Sequence, residues 1–256
     1  MTLLIAVADP VADGELVASA RSLAKAAGWD ARAVHVHEPG GLELGSAEAE
    51  GLEIVELVGD AADEIARLLG KAEVDAVALG LRTAAGPGIG HVTEALLGRP
   101  SAPLLLVRPG MRPLATLRRL LVPLEGSPSA SSAMRHTDDA LCTRGREIVM
   151  LHVVTKSTPG ERGSFPAPRI VDQEHYEWSA WQDEFCMRFS QCPEGGRHRV
   201  CMRVGEPVPT IVKEARENGA ELIVLSWKGS FADGHGAVVK ALLDAAPCPL
   251  LIVPAG

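Results

Sequence analysis

Gly88-Ile89-Gly90-His91-Val92-Thr93-Glu94-Ala95-Leu96-Leu97, with Pro103-Leu104 shortly after, returns later in the chain as Gly234-His235-Gly236-Ala237-Val238-Val239-Lys240-Ala241-Leu242-Leu243 with Pro249-Leu250. Working outward, Val58–Arg108 and Val204–Pro254 align without a gap, each residue of the second stretch lying 146 positions after its mate. Both stretches open Val-Gly-acid, as Val58-Gly59-Asp60 and Val204-Gly205-Glu206. Both then read as helix, apolar strand, glycine-bearing loop, helix and apolar strand. Repetition on this scale dictates architecture, and two copies predict a fused pseudo-dimer rather than a solenoid.

Upstream of the first copy, Leu3–Ala8 reads as a buried strand, Gly14–Gly28 as a helix with Leu16, Ala20, Leu23 and Ala27 on one face, and Ala31–His37 as a second strand. A Gly/Ala/Glu-rich loop at 39–50 precedes a third strand, giving the order β-α-β-β-α-β-α-β for residues 1–110. Residues 111–119 form a basic, proline-bearing linker. The pattern restarts in 120–256 with strands Leu120–Leu124 and Glu147–Val154, where the offset to the first half is 117, pairing Ile5 with Val122 and His35 with His152. The difference between the two offsets places a 29-residue surplus between about 156 and 203. Within it, Trp178, Trp181, Phe185 and Phe189 fall on one face of a predicted helix over 174–191. That helix is either an extra crossover packed on the sheet or a partner-binding stripe.

Apolar residues make up 46% of the chain and aromatics only 4%, which suits aliphatic α/β layers around parallel strands. The net charge of −8 falls on the first half: residues 1–110 hold 8 Lys+Arg against 16 Asp+Glu, and the remainder is balanced. An acidic half argues against general nucleic-acid binding, although backbone N–H groups at a helix start can still hold a small phosphate. No apolar run is long enough to span a membrane, and Met1–Ala8 reads as a strand rather than a signal peptide. The five cysteines form no Cys-x-x-Cys pair, so free thiols in a reducing cytoplasm are expected. Cys186, Cys192, His198 and Cys201 match no standard zinc spacing, and no metal site is assigned.

Strands Leu120–Ser127 and Val149–Val154, the helix start Val204-Gly205-Glu206-Pro207, strand Leu222–Ser226 and the closing Cys248–Val253 together resemble the universal stress protein family. The likeness spans the second half, and the first half looks like a shortened member, giving the tandem form. The resemblance implies two Rossmann-like α/β domains of the adenine nucleotide alpha hydrolase type. Each would be an open five-stranded parallel sheet of order 3-2-1-4-5 flanked by helices, with crevices at the strand ends where the order reverses. It also implies antiparallel pairing of the last strands, Leu104–Val107 with Leu250–Val253, which covers two apolar edges. The resulting intrachain pseudo-dimer is left able to dimerise further.

ATP-binding members of the resembled family carry Gly-x2-Gly-x9-Gly-[Ser/Thr] after strand four and an Asp at the end of strand one. Glycines let backbone approach phosphates, and the following helix start supplies N–H donors. Neither half matches. The first reads Gly80-x2-Thr83-x6-Gly90-His91, with Gly88 inside, and the second reads Ser226-x2-Gly229-x6-Gly236-Ala237, with Lys228 and Gly234 inside. The strand-one acid becomes Glu125 in the second half and Asp9, one step late, in the first. Val36 and Val153 sit at the second-strand position near the expected nucleoside, and Val238 in the helix after the loop. The remaining glycines are either an anion nest or a plain strand-to-helix turn. The expected function is a cytoplasmic stress-response module that senses a small-molecule ligand or binds a protein partner, with degenerate nucleotide sites and no turnover of its own. The alternative is a weak ATPase using ATP, or another adenine nucleotide with Mg²⁺, in the second half.

Other chemistry is thin. His35 and His152 are expected to be hydrogen-bonded structural groups, with His37 facing the same cleft, while His91 and His235 lie beside the glycine loops. No Gly-x-Ser-x-Gly elbow, His-Glu-x-x-His helix or Walker loop is present. Cys248, between two prolines, is expected to be buried, and Arg197, Arg199 and Arg203 to form a basic surface.

Overall fold

The computed structural model describes residues 1–9, 12–37, 52, 54–70, 74–83, 86–87, 89–124, 130–143, 145–154, 196–231 and 234–255. The aromatic helix expected over 174–191, the whole loop at 39–50, Gly88 and Glu125 lie outside these residues. The first half contains β1 (Thr2–Ala6), α1 (Gly14–Ala27), β2 (Asp30–His37), β3 (Ile54–Val58), α2 (Ala61–Leu69), β4 (Ala76–Gly80), a short ribbon of β5 (Arg82–Thr83) with β6 (Gly86–Pro87), α3 (His91–Gly98) and β7 (Leu104–Val107). The second contains β8 (Arg119–Leu124), α4 (Ala130–Leu141), β9 (Glu147–Val154), β10 (Arg197–Val204), α5 (Pro207–Glu217), β11 (Leu222–Trp227), α6 (Gly234–Ala245) and β12 (Leu250–Pro254).

The Val-Gly-acid signature has a backbone cause. Gly59 and Gly205 turn the chain out of β3 and β10 with φ of 150° and 156°, a region that favours glycine. The acid then caps the next helix: the Asp60 carboxylate accepts from Asp63 N at 2.9 Å. Glu206 occupies the same cap position without a side-chain bond, and there Pro207 sets the first helical residue instead.

The main sheet has ten strands in the order β10-β9-β8-β11-β12-β7-β4-β1-β2-β3. Each half reads 3-2-1-4-5 with parallel neighbours, and the halves meet at one antiparallel pair, β12 with β7. The strands at this seam are buried on both faces, which is why they read as unbroken apolar runs. Alternation sends Leu105, Val107, Leu251 and Val253 into the core under α1 and α4. Leu104, Leu106, Leu250 and Ile252 enter the core under α2, α3, α5 and α6. Both cores therefore run through both halves.

The linker is part of this structure. Met111, Leu114 and Leu117 are at most 3% exposed, and Leu114 N donates to Ser19 Oγ on α1 at 3.2 Å. Leu117 adopts φ 48°, a left-handed conformation that disfavours a bulky residue by about 1–2 kcal/mol, offset by complete burial of its side chain. Arginines tie helix ends across the seam: Arg108 Nη2 donates to Ala246 O at 3.1 Å, and Arg146 donates to Leu141 O at the end of α4 and to Ala26 O in α1.

Candidate functional site

In a 3-2-1-4-5 sheet the ligand crevice opens beyond the carboxyl ends of strands one and four. In the first half that point lies between β1 and β4. Next to it, where β4 and β7 end under the start of α1, is a shallow depression lined by Ala12, Asp13, Leu16, Gly80, Val107 and Pro109. Its acids serve the backbone. Asp13, 3% exposed, accepts from Ala8 N at 2.8 Å and Asp9 N at 3.0 Å, and Asp9 Oδ1 accepts from Ala12 N at 3.1 Å. The Asp9 carboxylate thus closes its own turn. The stretch after Gly80, read from sequence as an open glycine loop containing Thr83, is drawn into the β5–β6 ribbon. Gly90 then caps α3, with no side chain to contribute, and the exposed His91 is the first helical residue.

In the second half the corresponding point lies between β8 and β11. Ser226 is buried near the end of β11, and the strand runs one residue further than its apolar run suggests, to Trp227. Trp227 is 1% exposed, donates its indole N–H to Leu97 O of α3 at 2.6 Å and lies against Phe231 at a ring separation of 4.6 Å. Gly229, at φ 81°, brings the loop after Lys228 beside Pro100 of the first half, where an added Cβ would be 3.4 Å from Pro100 Cδ. The loop then folds over the start of α6. A Cβ on Gly236 would sit 2.2 Å from Ser230 O and 2.6 Å from Phe231 Cα, whereas one on Gly234 would meet nothing within 4 Å. Gly236 therefore admits the chain's own backbone. Ala237 is exposed and Val238 half-buried on α6, and neither offers a hydroxyl.

The two strand histidines are equivalent to the atom. His35 Nδ1 meets Val7 O at 2.8 Å, and His152 Nδ1 meets Leu124 O at 2.9 Å, each fastening strand two to the end of strand one. Val36 and Val153 follow them, half-buried. His37 meets His35 edge-to-face at 4.6 Å and pairs with Glu56 at 3.5 Å.

Two arginines of the basic cluster on β10 are taken up by carboxylates. Arg199 bonds Glu147 at 3.1 Å, and Arg203 bonds Glu214 at 2.5 Å. Burial would raise the Glu214 carboxyl, but hydrogen bonds from Arg203, Asn218 and Cys201 outweigh it and hold its pKa below the ordinary value. Glu147 is lowered in the same way by Arg199 and Arg119.

Among the described cysteines one departs from expectation: Cys142 is disulfide-bonded, whereas Cys201 and Cys248 are free. Sequence spacing carries no sign of that bond, because the contact is made only by folding. Burial pushes the Cys201 thiol up, helped by Glu214, and pushes Cys248 up to about 12, so neither is an activated nucleophile. The set Cys186, Cys192, His198 and Cys201 gains no support: Cys186 and Cys192 lie outside the described residues, and His198 and Cys201, three apart on one strand, point to opposite faces. His198 instead meets Asp138 of α4 and Cys142 just beyond that helix. Sequence reasoning missed that cluster and the Trp227 contact. The one available signal for Trp227 was its register with Leu81, also buried, at the same point of the repeat.

Comparison with known proteins bears on the whole architecture. The model of the "Universal stress protein family" matches residues 116–254. A universal stress protein of Methanothermobacter thermautotrophicus is 29% identical over 144 residues, covering 53% of this chain and 94% of its own length. One from Synechocystis is 28% identical over 143 residues, covering 54% and 85%. Among solved structures, a universal stress protein of Archaeoglobus fulgidus superposes with a TM-score of 0.71 at 15% identity, over 100% of this chain and 98% of its own. A functionally unknown protein of Pseudomonas aeruginosa gives 0.67 at 10% identity, over 99% and 92%. These two likenesses show the fold, including its two-half arrangement.

Proposed function

Because the chain belongs to the universal stress protein family, we propose that it is a binding module of that family without turnover, sensing a small ligand or engaging a protein partner. On this reading its two strand-end positions are degenerate nucleotide sites. The observation that carries it is the Ser230 carbonyl seated over Gly236, at the helix start where a phosphate would need the N–H groups. The first half adds support through the engaged carboxylates of Asp9 and Asp13, and an acidic surround that would need Mg²⁺ before accepting a polyphosphate. Among the described residues no helix is long and apolar enough to cross a membrane.

The test is thermal unfolding of the full chain with and without millimolar Mg-ATP, alongside a phosphate-release assay. A ligand that binds the native state raises the unfolding midpoint by mass action. No shift and no phosphate release are expected. A rise in the midpoint would establish an adenine-nucleotide site, and release of phosphate would replace this reading with that of a slow ATPase.

A further inference from the structure

Asp138 lies in the last turn of α4 and Cys142 just past its end, one turn further on, and His198 faces them from the edge strand β10. His198 Nε2 lies 2.8 Å from Asp138 Oδ1 and 3.9 Å from Cys142 Sγ, and the three donor atoms are all within 4.8 Å of one another. The cluster is enclosed: Asp138 is 5% exposed, Cys142 2%, and the His198 side chain 10%. Its geometry rules out a nucleophile relay. A Cys-His-Asp relay places the sulfur and the carboxylate on different ring nitrogens. Here both face Nε2, so oxygen, sulfur and nitrogen converge on one point.

Convergent N, O and S donors are the set that zinc takes, at about 2.0–2.3 Å from the ion. A tetrahedral site then spaces its donors about 3.3–3.8 Å apart, within the spread seen here, so small rotamer adjustments suffice. Zinc needs the thiolate, and Cys142 is disulfide-bonded in this structure.

We propose that Asp138, Cys142 and His198 form a zinc(II) site that opens when the Cys142 disulfide is reduced. A dithiol reductant supplies two electrons and two protons, leaving two thiols on the protein and its own sulfurs joined as a disulfide. The Cys142 thiol releases its proton to water as zinc binds, and a water completes the tetrahedron. The site lies at the amino ends of the strands, at the far side of the sheet from both switch points, so it is independent of the nucleotide reading. The one cluster would couple redox state to metal loading and, through α4 and β10, to the anchoring of an edge strand.

The experiment titrates the full chain, reduced with a phosphine, with Co²⁺ and then with Zn²⁺. One cobalt per chain is expected, with a thiolate-to-cobalt charge-transfer band, tetrahedral d–d bands, and displacement by zinc. Cys142→Ser and His198→Gln should each weaken zinc by about tenfold or more, while Cys201→Ser and Cys248→Ser leave it unchanged. The oxidised chain should show no band. Absence of the band in the reduced wild type, its survival in Cys142→Ser, or equal binding by oxidised and reduced chains would overturn the proposal. If Cys142→Ser does not fold, His198→Gln decides: loss of the band supports the site, and its persistence overturns it.

Discussion

Leu105 and Leu251, repeat mates 146 positions apart, are each other's partners across the antiparallel seam between β7 and β12. The pseudo-twofold relation between the halves passes between these two residues. Both are wholly buried and both face the core under α1 and α4. Leu105→Ala or Leu251→Ala should each destabilise the chain by about 2–5 kcal/mol. Their effects should fail to add by more than about 0.5 kcal/mol, because the two side chains are neighbours. Urea unfolding of the four forms of this cycle checks both statements, and separate transitions for the two halves would contradict a shared core.

Trp227 reaches from the second half to the last turn of α3 in the first. Trp227→Phe keeps most of the ring but removes the donor to Leu97 O. A loss of about 1–3 kcal/mol is expected, read as a lower denaturation midpoint, since the carbonyl is left without that partner in a dry site.

His136 of α4 sits edge-on to Trp29 of the first half, and its Nε2 is buried without a hydrogen-bond partner. Burial lowers its pKa from 6.5, with Asp139 pulling partly back. The unfolded chain therefore takes up this proton first as pH falls. Stability should be level above about pH 6.5 and decline from there down to the folded-state value. Denaturation midpoints measured from about pH 7.5 to 5.5 should fall less steeply in His136→Leu than in the wild type.

Glu214 carries the opposite assignment of charge. It is 2% exposed, ionised, and held by Arg203, Asn218 and Cys201. Its lowered pKa means that its contribution is complete above the ordinary carboxylate value of 4.5 and is lost as pH falls through the folded-state value. At neutral pH, Glu214→Gln should cost about 1–3 kcal/mol, discounted for the half-exposed Arg203. The variant's stability should also vary less below about pH 4.5.

Gly236 and Gly234 make a matched pair. Gly236→Ala drives a methyl into Ser230 O and should lower stability by about 3 kcal/mol or displace the loop, whereas Gly234→Ala meets open space and should be near neutral. Thermal unfolding of the two variants checks this. Equal tolerance at both positions would show that the loop stands off the helix and leaves room for a ligand.

The strands were legible because parallel strands buried on both faces leave continuous apolar runs, as at Leu222–Leu225 and Leu250–Val253, and because the repeat put the same run at the same place twice; their order and the seam came through the family likeness. The burial of Cys248 was legible from its place just before the last apolar strand, and the structural role of His35 and His152 from the histidine that the resembled family carries at that strand position. The fate of the glycine loops was not. Gly229 and Gly236 announce that backbone comes close, but a glycine is silent about whether the approaching group is a phosphate or the chain's own Ser230.

Residue order alone thus determined the duplication and the alternation of strands and helices, and its likeness to a family supplied the 3-2-1-4-5 order in each half and the pairing of the two last strands. The duplication and the alternation depend on periodicity and on which residues are apolar, quantities that a chain carries before it folds. Only the tertiary structure decided that the linker enters the core, that Trp227 crosses the seam to Leu97, and that Asp138, Cys142 and His198 meet. Those relationships join residues up to 130 positions apart. They arise from how side chains from separate elements fill one space, which no local pattern encodes.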